Sequence, residues 1–173
     1  MALVNGQMGI YVREKDLVIA FDPGRDKTGF ALTDLDGGLI LSGMFETGAC
    51  QNFFDGLKIG RIANDCIIER NSELLPSELF ERVKFIAIGN GTSSKKFTEY
   101  LRSKISCEIL IVDERNTTLE ARGLYWKIHK PGLLMKLLPE GLRVPARVLD
   151  DLAAWAIAIR ALKKYRDISS NKL

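Results

Sequence analysis

The residues best placed for chemistry in this sequence are acids at the ends of predicted elements of secondary structure. They are Asp22, Asp113, Glu114, Asp150 and Asp151. Asp22 follows a continuous apolar run, residues 17–21, which is typical of a strand that is buried on both faces. A charge at the tip of such a strand is costly unless it is hydrogen-bonded or held by a cation. We therefore predict that Asp22 binds a metal ion.

Each of the other acids has a simpler role open to it. Asp113 and Glu114 follow the predicted strand 109–112. Because side chains alternate along a strand, only one of them is expected to reach a shared site if the strand persists that far. Asp113 could instead pair with Arg115, and the acids that open the last helix could be ordinary N-caps. The set of three positions favours a site, because parallel strands could bring these element ends to one edge of a sheet.

The elements that position these acids are predicted from periodicity. The first three strands form an antiparallel meander, with a hairpin turn at 34–38. Apolar runs at 83–88 and 109–112 predict two more strands, and the helix predicted between them at 94–104 implies that they are parallel. Before them, apolar residues at helical spacing over 59–67 predict a long helix.

Two further helices follow the last predicted strand. One is expected to begin near Thr117, where Glu120 three residues later completes the spacing of a capping box. The other carries a stripe that is predicted to be buried. Its residues are Leu152, Trp155, Ile159 and Leu162.

Composition predicts a soluble globular protein, because 46% of the 173 residues are hydrophobic and 27% are charged. No apolar stretch reaches the roughly 20 residues of a membrane helix. We therefore expect no membrane partner and a cytoplasmic location. The predicted organisation is an N-terminal extension over 1–16, one domain over 17–165 and a C-terminal tail over 166–173.

The basic residues are concentrated in the last third of the chain. Residues 115–173 carry 12 Lys and Arg against 5 Asp and Glu, whereas the net charge of the whole chain is only +3. Basic residues interleaved with Tyr125 and Trp126 fit a phosphate backbone whose bases stack on aromatic rings. The alternative is a solvated surface with Trp126 packed in the core. The predicted nucleic-acid contacts are Arg25, Lys27, Arg115, Arg122, Lys127 and Arg143.

Three motifs, taken in their order and spacing over residues 17–165, resemble the YqgF-type, RuvC-like family of the ribonuclease H superfamily. The resemblance implies an α/β fold with a five-stranded mixed sheet flanked by helices, three antiparallel strands being followed by two parallel ones. The strands predicted from periodicity agree with this topology. The motifs are Asp22-Pro23-Gly24-Arg25 with Lys27-Thr28-Gly29, Asp113-Glu114-Arg115-Asn116-Thr117-Thr118 and Asp150-Asp151-Leu152-Ala153-Ala154.

The resemblance also implies metal-dependent cleavage of phosphodiester bonds, in branched DNA or in the precursor of 16S ribosomal RNA. On the matching positions, Asp22, Glu114 and Asp150 take the places of the catalytic acids. With Asp151 as a spare candidate, they would be the ligands of two Mg²⁺ ions, or of Mn²⁺ as a substitute. The middle strand departs from RuvC-type resolvases, since it ends in Gly89-Asn90-Gly91 without an acid. The resemblance leaves open a monomer or a homodimer.

Two other functions stay open. The turn after Asp22, with Lys27-Thr28-Gly29, also resembles the phosphate loop of actin-like sugar kinases and ATPases, although those enzymes usually need two such domains. The third possibility is a non-catalytic module of the same fold, which binds RNA or a protein partner through the basic last third of the chain.

Overall fold

The computed structural model describes residues 16–71, 79–139 and 142–170 of the chain, without the side chains of 134 and 135. Within these ranges six strands form one mixed sheet, in the order β4-β3-β2-β1-β5-β6. Strands β1 to β4 pair antiparallel, whereas β1, β5 and β6 run parallel to one another. The strands are β1 Leu17–Pro23, β2 Lys27–Asp34, β3 Leu39–Glu46, β4 Ile67–Arg70, β5 Val83–Gly89 and β6 Ile109–Val112.

Helices flank the sheet on both faces, and the α/β fold predicted from the sequence is confirmed. None of the helices in the described part of the chain combines the length and apolarity needed to cross a bilayer. Most of the predicted extension, residues 1–15, and the last three residues of the predicted tail lie outside the described residues. The helices are α1 Cys50–Lys58, α2 Ser94–Lys104, α3 Thr117–Ile128, α4 Leu133–Lys136 and α5 Asp150–Ser170.

Strand β1 is buried between two helical layers, as its continuous apolar run predicted. Its odd-numbered residues, such as Phe21, pack with α1 and α2, and Phe21 contacts four other phenylalanine rings. Its even-numbered residues, Val18 and Ala20, pack against α5. Because side chains alternate along a strand, Asp22 belongs to the face that α5 covers.

The predicted count of five strands is wrong, and so is the long helix over 59–67. Helix α1 ends earlier, at a turn in which Gly60 adopts a left-handed φ of 67°. There Arg61 N–H donates to the Gly56 carbonyl and Gly60 N–H donates to that of Leu57, a Schellman motif. Ile59, the C-cap of α1, is 61% exposed, and β4, the strand that was not predicted, begins at Ile67. Helical spacing of apolar residues therefore did not produce a helix here.

Helix α3 begins at Thr117 as predicted, but without the predicted capping box. Its N-cap is Asn116, in the left-handed region, and no side chain caps the helix. The Thr117 hydroxyl instead donates to the Glu114 carbonyl at 2.8 Å. The Glu120 carboxylate is bound by Arg160 of α5 at 2.7 Å.

Helix α5 lies across β1, β2, β3 and β5 and packs against α3. The predicted stripe is buried only in part, since Ile159 is 39% exposed. Small residues let the helix approach the sheet closely, so alanines supply most of the buried face. They are Ala153, Ala154, Ala156, Ala158 and Ala161.

Candidate functional site

Three neighbouring strands place Asp22 between two glycines on the face that α5 covers. Asp22 of β1 pairs with Gly29 of β2, and on the other side Phe21 pairs with Ile88, so that Gly89 comes next along β5. The glycines make room for other chain segments. A Cβ atom at Gly29 would collide with the Asp150 backbone, and one at Gly89 would lie 2.6 Å from Glu114 Oε2.

Asp22, Glu114 and Asp150 therefore converge at one end of the sheet. Burial raises the pKa of Asp22 from 3.8 to about 7, and repulsion from Glu114 and Asp150 adds to the rise. Within the described residues the Asp22 carboxylate accepts no hydrogen bond and forms no ion pair. It is a half-buried acid with like charges around it and no compensating donor.

The start of α5 contributes Asp150 to this cluster. Burial raises the pKa of Asp150, and the neighbouring Asp151 raises it further, whereas the ammonium group of Lys27 lowers it. Lys27 lies at the start of β2 and is exposed, so it faces both the acids and the solvent. Among the described residues, Lys27 is a cation whose charge acts on Asp150 of this cluster.

Asp113 and Glu114 point to different places, as predicted, although β6 ends before them at Val112. Asp113 is exposed, and Arg115 binds its carboxylate through Nε at 2.8 Å and a terminal nitrogen at 2.6 Å. These hydrogen bonds lower the pKa of Asp113 to about 2. The Glu114 carboxylate lies instead over Gly89 and Gly91, where a Cβ atom on either glycine would meet its oxygens. Glu114 is thus the acid of the pair that reaches the cluster.

The segment that carries Glu114 is held by contacts that the sequence did not predict. The Glu114 N–H donates to Asn90 Oδ1 at 3.1 Å. Arg160 of α5 donates to the carbonyls of Asp113 and Arg115, the second at 2.8 Å. Asn90 follows β5 in the segment Gly89-Asn90-Gly91. Its place after a strand that ends at the predicted site was the one signal in the sequence for this contact. Nothing in the sequence indicated Arg160.

Asp151 lies in a different environment from Asp150. It is fully buried, accepts a hydrogen bond from Ser42 Oγ at 2.7 Å and is bound by Arg147 at 2.6 Å. Arg147 also binds Glu69 of β4 at 2.6 Å, and Glu69 contacts His129 Nε2 at 2.8 Å. Asp151 is therefore occupied by a buried ionic network that ties α5 to β3 and β4. The prediction of Asp151 as a metal ligand does not fit this placement.

The predicted nucleic-acid contacts are exposed, with one exception. Arg25 lies on the loop after β1, Lys27 lies at the start of β2, and Arg115 is held by Asp113. Arg122 lines a cavity of about 230 Å³ that Asp150 also borders. Lys127 is exposed in the last turn of α3.

The exception is Arg143, which is half-buried and serves its own loop. Its guanidinium group donates to the carbonyls of Leu138 and Lys136 at 3.0 and 3.3 Å. Its backbone carbonyl accepts a hydrogen bond from the Trp126 indole at 3.3 Å. Arg143 is thus used to shape the loop, and the Trp126 N–H is satisfied within the protein.

The donor set suits a hard cation, but the cluster is open. Among the described residues, no group of three or more His, Cys, Asp and Glu side chains is arranged to hold a metal ion. Carboxylate oxygens are the ligands that Mg²⁺ prefers, and Mg²⁺ usually takes only one or two of them together with water and substrate phosphates. The unpaired Asp22 carboxylate is the group that such a cation would compensate.

No family model and no curated protein matches this chain. The ribonuclease H-like family therefore stays a prediction from three motifs.

Proposed function

We propose that this protein is a metal-dependent nuclease of the ribonuclease H-like fold, acting in the cytoplasm on structured nucleic acid. Its catalytic carboxylates would be Asp22, Glu114 and Asp150. The observation that carries the proposal is their convergence around Asp22, whose pKa is raised by burial and then by repulsion from Glu114 and Asp150. Titratable groups with such perturbed pKa values cluster at functional sites.

The sheet supports the proposal through its topology. An antiparallel meander followed by two parallel strands is the arrangement that the family resemblance implies, with β4 added at the edge. The acids occupy the three positions that the motifs assign to catalysis, at the end of β1, after β6 and at the start of α5. The added strand lies at the far side of β3 and leaves that end of the sheet unchanged.

In this proposal Asp22, Glu114 and Asp150 hold the divalent cations, Mg²⁺ or Mn²⁺. When bound, such ions acidify a water molecule and offset the negative charge of the scissile phosphate. Asp22 must lose its proton before it can bind a cation. Arg25, in the loop after β1, and Lys27, at the start of β2, are placed to contact phosphates of the substrate.

A non-catalytic module that binds nucleic acid is the second candidate, and one observation favours it. Among the described residues, no group of three or more His, Cys, Asp and Glu side chains is arranged to hold a metal ion. Acids that do not catalyse cleavage are compatible with this arrangement. This candidate predicts binding without cleavage.

A cleavage assay separates the two candidates. End-labelled single-stranded RNA, a ribosomal RNA precursor fragment and a four-way DNA junction are each incubated with Mg²⁺, Mn²⁺ or EDTA. We expect cutting of one substrate class that requires the metal and is lost in Asp22→Asn, with Asp113→Asn as the matched control that still cuts. Binding without cutting of any substrate would favour the non-catalytic module.

A further inference from the structure

A second concave surface lies on the face of the sheet that α1 and α2 cover, opposite the three carboxylates. It is a groove of about 790 Å³ between the β1–β2 loop, the start of α1 and the start of α2. We call it the basic groove. Its charged and hydroxyl-bearing lining residues include Arg25, Thr47, Thr92, Ser93, Lys95 and Lys96.

The positive charge of the basic groove is not neutralised by neighbouring side chains. Arg25, Lys95 and Lys96 are all exposed, and none of them forms an ion pair within the described residues. No Asp or Glu occurs among the described residues that line the groove. An anion that enters the groove therefore meets three cations and no carboxylate in the described lining.

Two of these cations stand where they oppose local stability. Lys95 and Lys96 lie in the first turn of α2, and the positive end of the helix dipole disfavours cations there. The first turn contains no acid, and the N-cap, Ser93, makes no side-chain capping hydrogen bond. Binding of an anion would explain why Lys95 and Lys96 lie where their charges destabilise α2.

The basic groove is continuous with the acidic site through two loops. Gly24 and Arg25 line the groove and are separated from Asp22 in the chain only by Pro23. Gly91 lies beneath the Glu114 carboxylate, and the next residue, Thr92, lines the groove. Each loop thus borders the acids on one side and the groove on the other. A polymer bound at the acids can continue over the end of the sheet into the groove.

We infer that the basic groove binds the phosphates of a single nucleic-acid strand that runs on from the bond held at Asp22, Glu114 and Asp150. This inference rests on the proposed function. The volume of the groove is in the range of sites for one small molecule, roughly 300–1,000 Å³, which is enough for a short stretch of one strand. Tyr100, also in the lining, offers a ring on which a base can stack.

The test compares two double variants of the same helix. Lys95→Gln with Lys96→Gln removes two charges from the groove, and Arg102→Gln with Lys104→Gln removes two exposed charges from the last turn of α2. Affinity for a short labelled single-stranded RNA is measured by fluorescence anisotropy in EDTA over a range of salt concentrations. Thermal unfolding of both variants is recorded in parallel.

Two lost phosphate contacts reduce the slope of log affinity against log salt by about 1.4, which is about a 25-fold weaker affinity at about 0.1 M salt. We expect this loss for the groove variant and less than about a threefold loss for the control. The groove variant should not melt below wild type, because it removes cations from a helix N-terminus. Arg25→Gln, a substitution in a loop, should weaken binding in the same direction.

Equal affinities of the two double variants would overturn the inference. Loss of ATP binding with unchanged RNA affinity would also overturn it, since the groove would then be a nucleotide pocket. The proposed function can fail separately. If RNA binding depends on Lys95 and Lys96 but no metal-dependent cutting occurs, the inference about the groove holds and the proposed nuclease function fails. If cutting occurs and RNA binding does not depend on Lys95 and Lys96, the nuclease function holds and the inference about the groove fails.

Discussion

Replacing Asp22 by asparagine is expected to stabilise the metal-free protein at neutral and alkaline pH. Burial beside Glu114 and Asp150 raises the pKa of Asp22 from 3.8 to about 7 in the folded protein. Between these two pKa values the folded state binds a proton that the unfolded state has already released. The free energy of unfolding of the wild type therefore falls as the pH rises through this window, and it stays low above about pH 7.

The size of the effect follows from the two pKa values. Within the window each pH unit costs about 1.4 kcal/mol, so the carboxylate of Asp22 removes up to about 4 kcal/mol of stability above pH 7. Asparagine is nearly isosteric and has no proton to release. Asp22→Asn should therefore match the wild type near pH 4 and exceed its free energy of unfolding by up to about 4 kcal/mol near pH 8.

Urea unfolding followed by circular dichroism, in EDTA and at a series of pH values, measures this difference. Asp26→Asn, which removes an exposed carboxylate from the loop between β1 and β2, is the matched control and should change stability by less than about 0.5 kcal/mol. A difference between Asp22→Asn and wild type that does not vary with pH would refute the reasoning. So would a destabilised Asp22→Asn variant near pH 8.

Three further predictions concern the site and its supports. Gly29→Ala should cost about 1–3 kcal/mol in thermal unfolding, because the added Cβ meets the backbone at the start of α5. Gly48→Ala, whose added Cβ has no atom within 4 Å, should cost less than about 0.5 kcal/mol. Equal costs would contradict the close approach of α5 to Gly29. Arg147→Met should cost about 3–5 kcal/mol in urea unfolding, because it removes the guanidinium group that pairs with the buried Asp151 and with Glu69; a loss below about 1 kcal/mol would show that the network is not stabilising. Metal-dependent cleavage should rise as the pH increases toward about 7, where Asp22 releases its proton; a rate that falls over this range would argue against its role as a ligand.

Elements with strong local signals could be predicted from the sequence. Helix α2 and strand β6 have the predicted bounds, Ser94–Lys104 and Ile109–Val112, because turn residues and apolar runs delimit them. The helix predicted over 59–67 failed because its apolar residues serve different elements. A left-handed Gly60 stops α1, and Ile67 pairs with Gly43 in a strand that only the tertiary structure provides.

The candidate site could be predicted to the level of three acidic positions, and not to the choice within each pair. Strand alternation predicted that only one of Asp113 and Glu114 reaches the site. The sequence could not say that Arg115 binds Asp113 while Glu114 lies over Gly89. Asp150 and Asp151 are distinguished by Ser42, a residue 109 positions away from Asp151 in the chain. Long-range partners of this kind leave no local pattern.

Binding of Mn²⁺ is the measurement that tests the central claim most directly, because the claim is that three carboxylates form a cation site. Electron paramagnetic resonance of free Mn²⁺ gives the affinity of the wild type and of each variant. We expect Asp22→Asn, Glu114→Gln and Asp150→Asn each to weaken binding at least tenfold, about what loss of an outer-shell partner alone can cost. Asp113→Asn should bind like the wild type. Unchanged Mn²⁺ affinity in Asp22→Asn, or an equal loss in Asp113→Asn, would contradict the account.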